Sequence, residues 1–262
     1  MKKYLNTMKM VILEKIQYIP NQLLKIISYT IYIFIFFELW NYMYTDSSLI
    51  VGYTFKQMVW YVAITEIVWG AIRPKIIKTE VSKEIRSGKI AYILSKPFNY
   101  INYLMSKYIG ETIVNLFTFG TSGILISLII VGSLPTFTWN SIIFITITTI
   151  LSILITGYIY MLISLTAFFI EETTPFFWIY ERLILCIGVM FPIEIFPKFF
   201  QPFIKFSPVY VTMYAPAKMF VDFSINAFLE ILLFQLIYLF ITAILSYLIY
   251  KKGVKKLHVN GG

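Results

Sequence analysis

The run from Ser133 to Ile170 carries no charged side chain, and no other feature restricts the fold so severely. Taken as a helix from Trp139 to Ile170, it would reach about 48 Å at ~1.5 Å per residue, well beyond the ~30 Å hydrocarbon core of a bilayer. Such a segment has to tilt, protrude or break near Gly157. The stretch before it, Thr112 to Gly132, is also free of charge. The chain as a whole is 59% hydrophobic and 13% charged, whereas a soluble domain lies nearer half apolar and a quarter charged. The excess is too large for a soluble core and matches several membrane spans.

Apolar runs of spanning length recur at about Leu23–Tyr44, Phe55–Ile72, Tyr103–Val131, Trp139–Ile170, Phe176–Phe191 and Ala227–Tyr250. They predict an all-α polytopic membrane protein with six transmembrane helices, residues 1–262 forming one membrane domain. Trp40, Tyr42 and Tyr44 close the first span with aromatic rings suited to the headgroup level. Residues 1–19 hold no continuous apolar stretch and are no secretory signal. Tyr4, Leu5, Met8, Val11, Ile12, Ile16 and Ile19 instead share one helical face, which predicts an interfacial amphipathic helix with its lysines toward anionic lipid headgroups.

The longest polar segment, residues 73–107, follows the second span. From Lys75 to Ile90 it has helical spacing, with Ile76, Ile77, Val81, Ile85 and Ile90 as an apolar stripe and charges around it. Ser87-Gly88 offers a stop, and Lys96-Pro97 a break. The N-terminal helix, this loop and the tail after Tyr250 hold sixteen of the chain's 22 basic residues. That bias places all three on the cytosolic side of the cell membrane, both termini included. Ser133-Leu134-Pro135-Thr136 reads as an outer turn. The region Phe191–Asp222 holds five of the ten prolines among phenylalanines. No continuous helix tolerates that density, so residues 192–226 are expected to form broken, re-entrant helices on the outer face.

Acids within spans are costly and count as functional candidates by default. Glu66 stands two helical turns before Arg73 on the same face, as an ion-paired partner would. Glu38, Glu111 and Glu230 lie nearer span ends, where interface solvation is expected. One cysteine, Cys186, and one histidine, His258 in the tail, exclude an internal disulfide and leave no metal cluster. The absence of histidines from the spans also speaks against an intramembrane peptidase built on Glu171-Glu172 and Glu181-Arg182. Ser87-Gly88-Lys89 lacks the remainder of a phosphate-binding loop, so the chain has no ATPase site of its own. Aromatics sit inside apolar runs rather than on a basic surface, which argues against nucleic acid.

Several short motifs, in order, are similar to those of ABC-2-type transporter permeases. They are Ile64-Thr65-Glu66 in the second span, and Glu84-Ile85-Arg86-Ser87-Gly88-Lys89-Ile90-Ala91-Tyr92 followed by Leu94 and Pro97. Phe169-Ile170-Glu171-Glu172-Thr173 and the Phe191-Pro192 to Phe196-Pro197 region complete the resemblance, which covers nearly the whole chain. It implies an exporter subunit in which two permease chains, identical or related, assemble with two copies of a separate ATPase that binds ATP and Mg. By the same resemblance, the coupling element lies at Lys75, Ile76, Lys78, Val81, Glu84, Ile85, Arg86, Gly88 and Lys89. Pro192, Pro197, Phe199 and Pro202 belong to the implied outer gate. Glu66, Glu111 and Arg73 remain the intramembrane candidates. An ion-coupled secondary transporter or channel using Glu66 and Glu111 is the alternative, weakened by the lack of any internal repeat. The aromatic outer segment suits a hydrophobic or amphipathic cargo, such as a drug, peptide or lipid-like molecule.

Overall fold

Apart from one bridge between Ile50 and Tyr53, helix is the only regular structure among the described residues. The apolar runs demand this, because a segment without water must close its hydrogen bonds within itself. The computed structural model describes residues 2–17, 19–46, 48–72, 74–134 and 141–260. In order, the helices are α1 (Lys2–Gln17), α2 (Ile19–Met43), α3 (Phe55–Ile72), α4 (Lys75–Arg86), α5 (Lys89–Leu94), α6 (Tyr100–Val131), α7 (Ser141–Leu165), α8 (Thr174–Leu183), α9 (Gln201–Lys205), α10 (Ala215–Val221) and α11 (Ile225–Asn260).

Four helical stretches are long and apolar enough to cross a membrane: Leu23–Met43, Tyr100–Val131, Ser141–Phe168 and Ile225–Lys256. The chain is an all-α, multi-pass membrane protein. The other two expected spans are built differently. α3 has the predicted bounds, but Lys56, Gln57 and Glu66 dilute its apolar character. It is buried without interruption from Met58 to Thr65 and packs against α2, α6 and α10, so protein rather than lipid surrounds it. α8 is only ten residues long and continues as a π-helical turn, Ile184–Val189.

Several expected boundaries differ. α6 begins at Tyr100, because Asn99 caps it by accepting a hydrogen bond from the Asn102 backbone at 3.0 Å. α7 ends at Leu165 and closes with a 3-10 turn, Thr166–Phe168. Of the three outcomes open to this segment, a break near Gly157 does not occur: α7 is continuous through it. A Cβ at Gly157 would stand 2.6 Å from the Tyr108 ring, so this glycine serves close approach of α6 to α7 rather than a kink. There the Tyr108 hydroxyl donates to the Ile72 and Ile153 carbonyls at 2.9 and 3.0 Å. α11 continues past Tyr250 and through its lysines to Asn260. The proposed outer turn at Pro135-Thr136, together with Trp139, lies outside the described residues.

The Pro-rich region is broken as its sequence requires, into a 3-10 turn Ile193–Ile195, α9, a π-helical turn Tyr210–Tyr214 and α10. A π-turn frees carbonyls that an α-helix would use, and at membrane depth these need other donors. Neighbouring helices supply them. Tyr61 of α3 donates to Gly188 O at 3.0 Å, and Thr65 to Val189 O at 2.9 Å. Gln235 of α11 and Ser152 of α7 donate to Val211 O at 2.8 and 3.0 Å, and Gln235 also ties this turn to α7 through Thr148 O at 2.9 Å. Replacing the fully buried Gln235 by leucine removes two of these bonds while keeping the volume roughly the same. Gln235→Leu should lower stability by about 1–2 kcal/mol, measured by thermal unfolding of the purified protein in detergent.

Candidate functional site

The charged residues of the 73–107 segment gather around α4, and what fixes that helix defines the site. α4 starts after Pro74, whose side chain cannot cap it. The cap comes from another helix: the Ile76 backbone N–H donates to Glu111 Oε2 of α6 at 3.4 Å. Glu111 is 4% exposed, contrary to the interface solvation expected for it. Its other oxygen takes an ion pair from Lys15 Nζ of α1 at 2.8 Å. A buried carboxylate is tolerable only with such partners, and the positive end of a helix dipole is a favourable place for it.

Further along α4, polar contacts bolt both flanks to the bundle. Lys78 Nζ meets Glu181 Oε1 of α8 at 2.7 Å, and the Tyr160 hydroxyl donates to the same oxygen at 3.2 Å. Glu80 pairs with Lys107, and the Tyr100 hydroxyl donates to Glu84 Oε2 at 2.6 Å. Ser164 of α7 donates to Ile77 O at 3.1 Å. Beyond α7, the Ser82 and Thr173 hydroxyls bond at 2.8 Å, and Arg86 pairs with Glu172 at 3.1 Å. The Thr174 hydroxyl, at 2.5 Å, and then Arg86 pull the Glu172 carboxyl down to about 2. A depressed carboxyl of this kind contributes above the ordinary carboxylate range and is lost only as pH falls toward 2. The Arg86 link therefore stays charged at neutral pH.

The apolar stripe Ile76, Ile77, Val81 and Ile85 is buried against the protein's own helices. Lys75, Thr79, Lys83 and Arg86 form the opposite, exposed stripe, at the 3–4 residue spacing of one helical face. Gly88, at φ +71°, ends α4 and starts α5 in the left-handed region that glycine enters without strain. A cavity of about 600 Å³ lies between α4 and the 172–174 turn, rimmed by Lys83, Arg86 and Glu172.

Glu66 and Glu111, far apart in sequence, line one cleft of about 320 Å³ between α2, α3 and α6, together with Lys25, Lys75 and Asn115. Lys25 Nζ donates to Asn115 Oδ1 at 2.9 Å. Arg73, the expected partner of Glu66, lies outside the described residues. Neither Lys15 nor Lys25 stood out in the sequence; a lone lysine at the start of an apolar run was the available signal.

At the far end, Pro192 is buried, whereas Pro197, Phe199 and Pro202 are exposed. Phe199 packs on Phe200 and Phe203, with ring centroids 5.4 and 5.6 Å apart. The unforeseen centre there is Glu194. Its Oε1 accepts from Tyr53 at 3.0 Å and Tyr214 at 2.6 Å and lies 3.3 Å from Lys218 Nζ, which also pairs with Asp222 at 2.6 Å. Glu38 is exposed near the end of α2, and Glu230 is exposed and paired with Lys205 at 2.8 Å.

Residues 11–261 match the family model described as ABC-2 family transporter protein. No curated protein matches the chain.

Glu111→Gln should lower stability by about 2 kcal/mol, less than for a fully buried pair because Lys15 keeps contact with water. The double variant K15Q/E111Q should cost clearly less than the sum of the two single changes. Thermal unfolding of the four proteins in detergent measures the coupling, and additive losses would show that the pair contributes nothing.

Proposed function

The chain belongs to the ABC-2 family of transporter proteins, and from that premise we propose that it is the permease subunit of an ATP-driven exporter. In this reading two permease chains and two copies of an ATP-binding cassette ATPase form the working unit. ATP and Mg bind on the ATPase, and this chain supplies the pathway and the docking surface. Six crossings, with α3 and α8 completing the four long helices, put both termini and α4 in the cytosol. The cargo is a hydrophobic or amphipathic molecule moved outward, past a gate formed by the Pro192–Pro202 region.

The observation that carries the proposal is the way α4 is held. Its apolar stripe and both flanks are fixed to α6, α7, α8 and, through Arg86, the turn at Glu172, while Lys75, Thr79 and Lys83 face outward. A helix tied to several transmembrane elements, with one face free, is suited to receive a push from a soluble partner and spread it as a rigid-body movement. The buried isoleucines and Val81 hold the helix in place; the basic face is the contact surface. The ion-coupled alternative is weakened, because the Glu111 carboxylate already serves Lys15 and the start of α4.

The test reverses charge on the free face without touching the anchors. T79E/K83E should leave membrane yield unchanged and weaken co-purification with the ATPase on the order of tenfold, with transport falling in parallel. Unchanged association and transport would overturn α4 as the docking element.

A further inference from the structure

We propose that Glu194 is the latch of the Pro-rich end: it clamps the turn Ile193–Ile195 to α10 and to the loop between α2 and α3, and it releases both together, leaving Lys218 with Asp222. The latch gives the Pro192–Pro202 gate its moving joint; its use in transport rests on the exporter reading, whereas the movement itself does not. Convergence is the first argument. The turn is cut off from helix on both sides, because Pro192 and Phe196 have extended backbone. Its polar ties to α10 and to the loop end on one atom. Glu194 Oε1 accepts from the Tyr53 hydroxyl at 3.0 Å, from the Tyr214 hydroxyl at 2.6 Å and from Lys218 Nζ at 3.3 Å. Among the described residues, no other side-chain hydrogen bond joins the turn to α10, to the π-turn before it or to that loop. Three separate pieces of chain therefore part at a single carboxylate.

The second argument is that the clamp is incomplete on one side and has a successor on the other. Glu194 Oε2 is buried, yet among the described residues no donor reaches it. A buried carboxylate oxygen in that position works against the closed arrangement. The Glu194 side chain is nonetheless 30% exposed, so a swing of the carboxylate carries that oxygen to water. Lys218 is not stranded when this happens. Asp222 holds it at 2.6 Å, closer than Glu194 does, and the Tyr53 hydroxyl accepts from it at 2.8 Å. Asp222 stands one helical turn beyond Lys218 and moves with it, so this pair survives a parting of α10 from the turn. Both arrangements leave each charge with a partner or with water, as an element with two stable positions requires.

Hydrogen exchange of the full chain in detergent, without ATPase or cargo, reads the opening. E194Q should speed exchange in peptides spanning 193–196 and 210–222 by about tenfold, the scale of a lost charge-assisted bond, with α7 unchanged. D222N should act in the opposite sense and slow the same peptides several-fold, because it takes from Lys218 the partner needed once Glu194 has left. A passive brace predicts instead that both changes loosen the region. Faster or equal exchange in D222N, or no change in E194Q, would overturn the latch. Should E194Q fail to fold, D222N decides alone, since it leaves Glu194 in place: slower exchange supports the latch and any other result refutes it. If exchange shifts as expected while neither variant alters cargo movement, the latch stands and the gate of the exporter reading is what fails.

Discussion

One buried carboxylate keeps three unlike helices in register. α1 carries its lysines and exposed apolar residues at its surface, α6 is a long spanning helix, and α4 is short and strongly amphipathic. Nothing in their apolar packing alone fixes where α4 begins, because Pro74 provides no cap. Glu111 provides it from α6, and Lys15 of α1 balances the charge. A carboxylate removed from water cannot stand alone, so each of the three helices holds the others to a single arrangement. The outward face of α4 inherits its orientation from that arrangement.

A second constraint governs the other end. Prolines and π-turns break the helices that follow α8, and broken backbone in a membrane is stable only where side chains make good the missing bonds. α3 does this through Tyr61 and Thr65, and α7 and α11 through Ser152 and Gln235. The most enclosed helix of the bundle thus supports the least regular one. Thr65 adjoins Glu66, so the residue that steadies the π-turn after α8 is next to one that lines the cleft between α2, α3 and α6. Movements of α4 or of that cleft would be felt first at these substitute bonds, since they are fewer and less redundant than a helical ladder.

What the sequence revealed follows from how local each signal is. The ends of α3, the stop at Ser87-Gly88 and the fragmentation after Phe191 are written in hydropathy, glycine and proline, and they read directly. The amphipathic character of α4 was equally plain, but not the direction its apolar face takes, because a stripe of isoleucines serves a partner and the chain's own core alike. Gly157 was ambiguous for a related reason: glycine permits a kink, yet here it permits contact with Tyr108. The pairs Lys15–Glu111 and Lys78–Glu181 join distant segments, and no periodicity predicts them. Glu194 drew no notice among phenylalanines and prolines, although Lys218 and Asp222, one helical turn apart, were a legible hint of a polar centre nearby.

The two ends of the molecule also differ in how they use charge. At the Pro-rich end, Lys205 and Lys218 are neutralised by Glu230, Glu194 and Asp222. At the α4 end four acids, Glu80, Glu84, Glu111 and Glu181, are occupied with anchoring. Lys75, Lys83 and Lys89, with Lys251, Lys252, Lys255 and Lys256 of α11, remain exposed. Acids spent on holding helices together leave a cluster of exposed lysines around α4 and the end of α11. The exposed lysines there present an attractive field to an acidic surface. The acids that anchor α4 and the lysines left exposed around it are thus two sides of one segregation of charge.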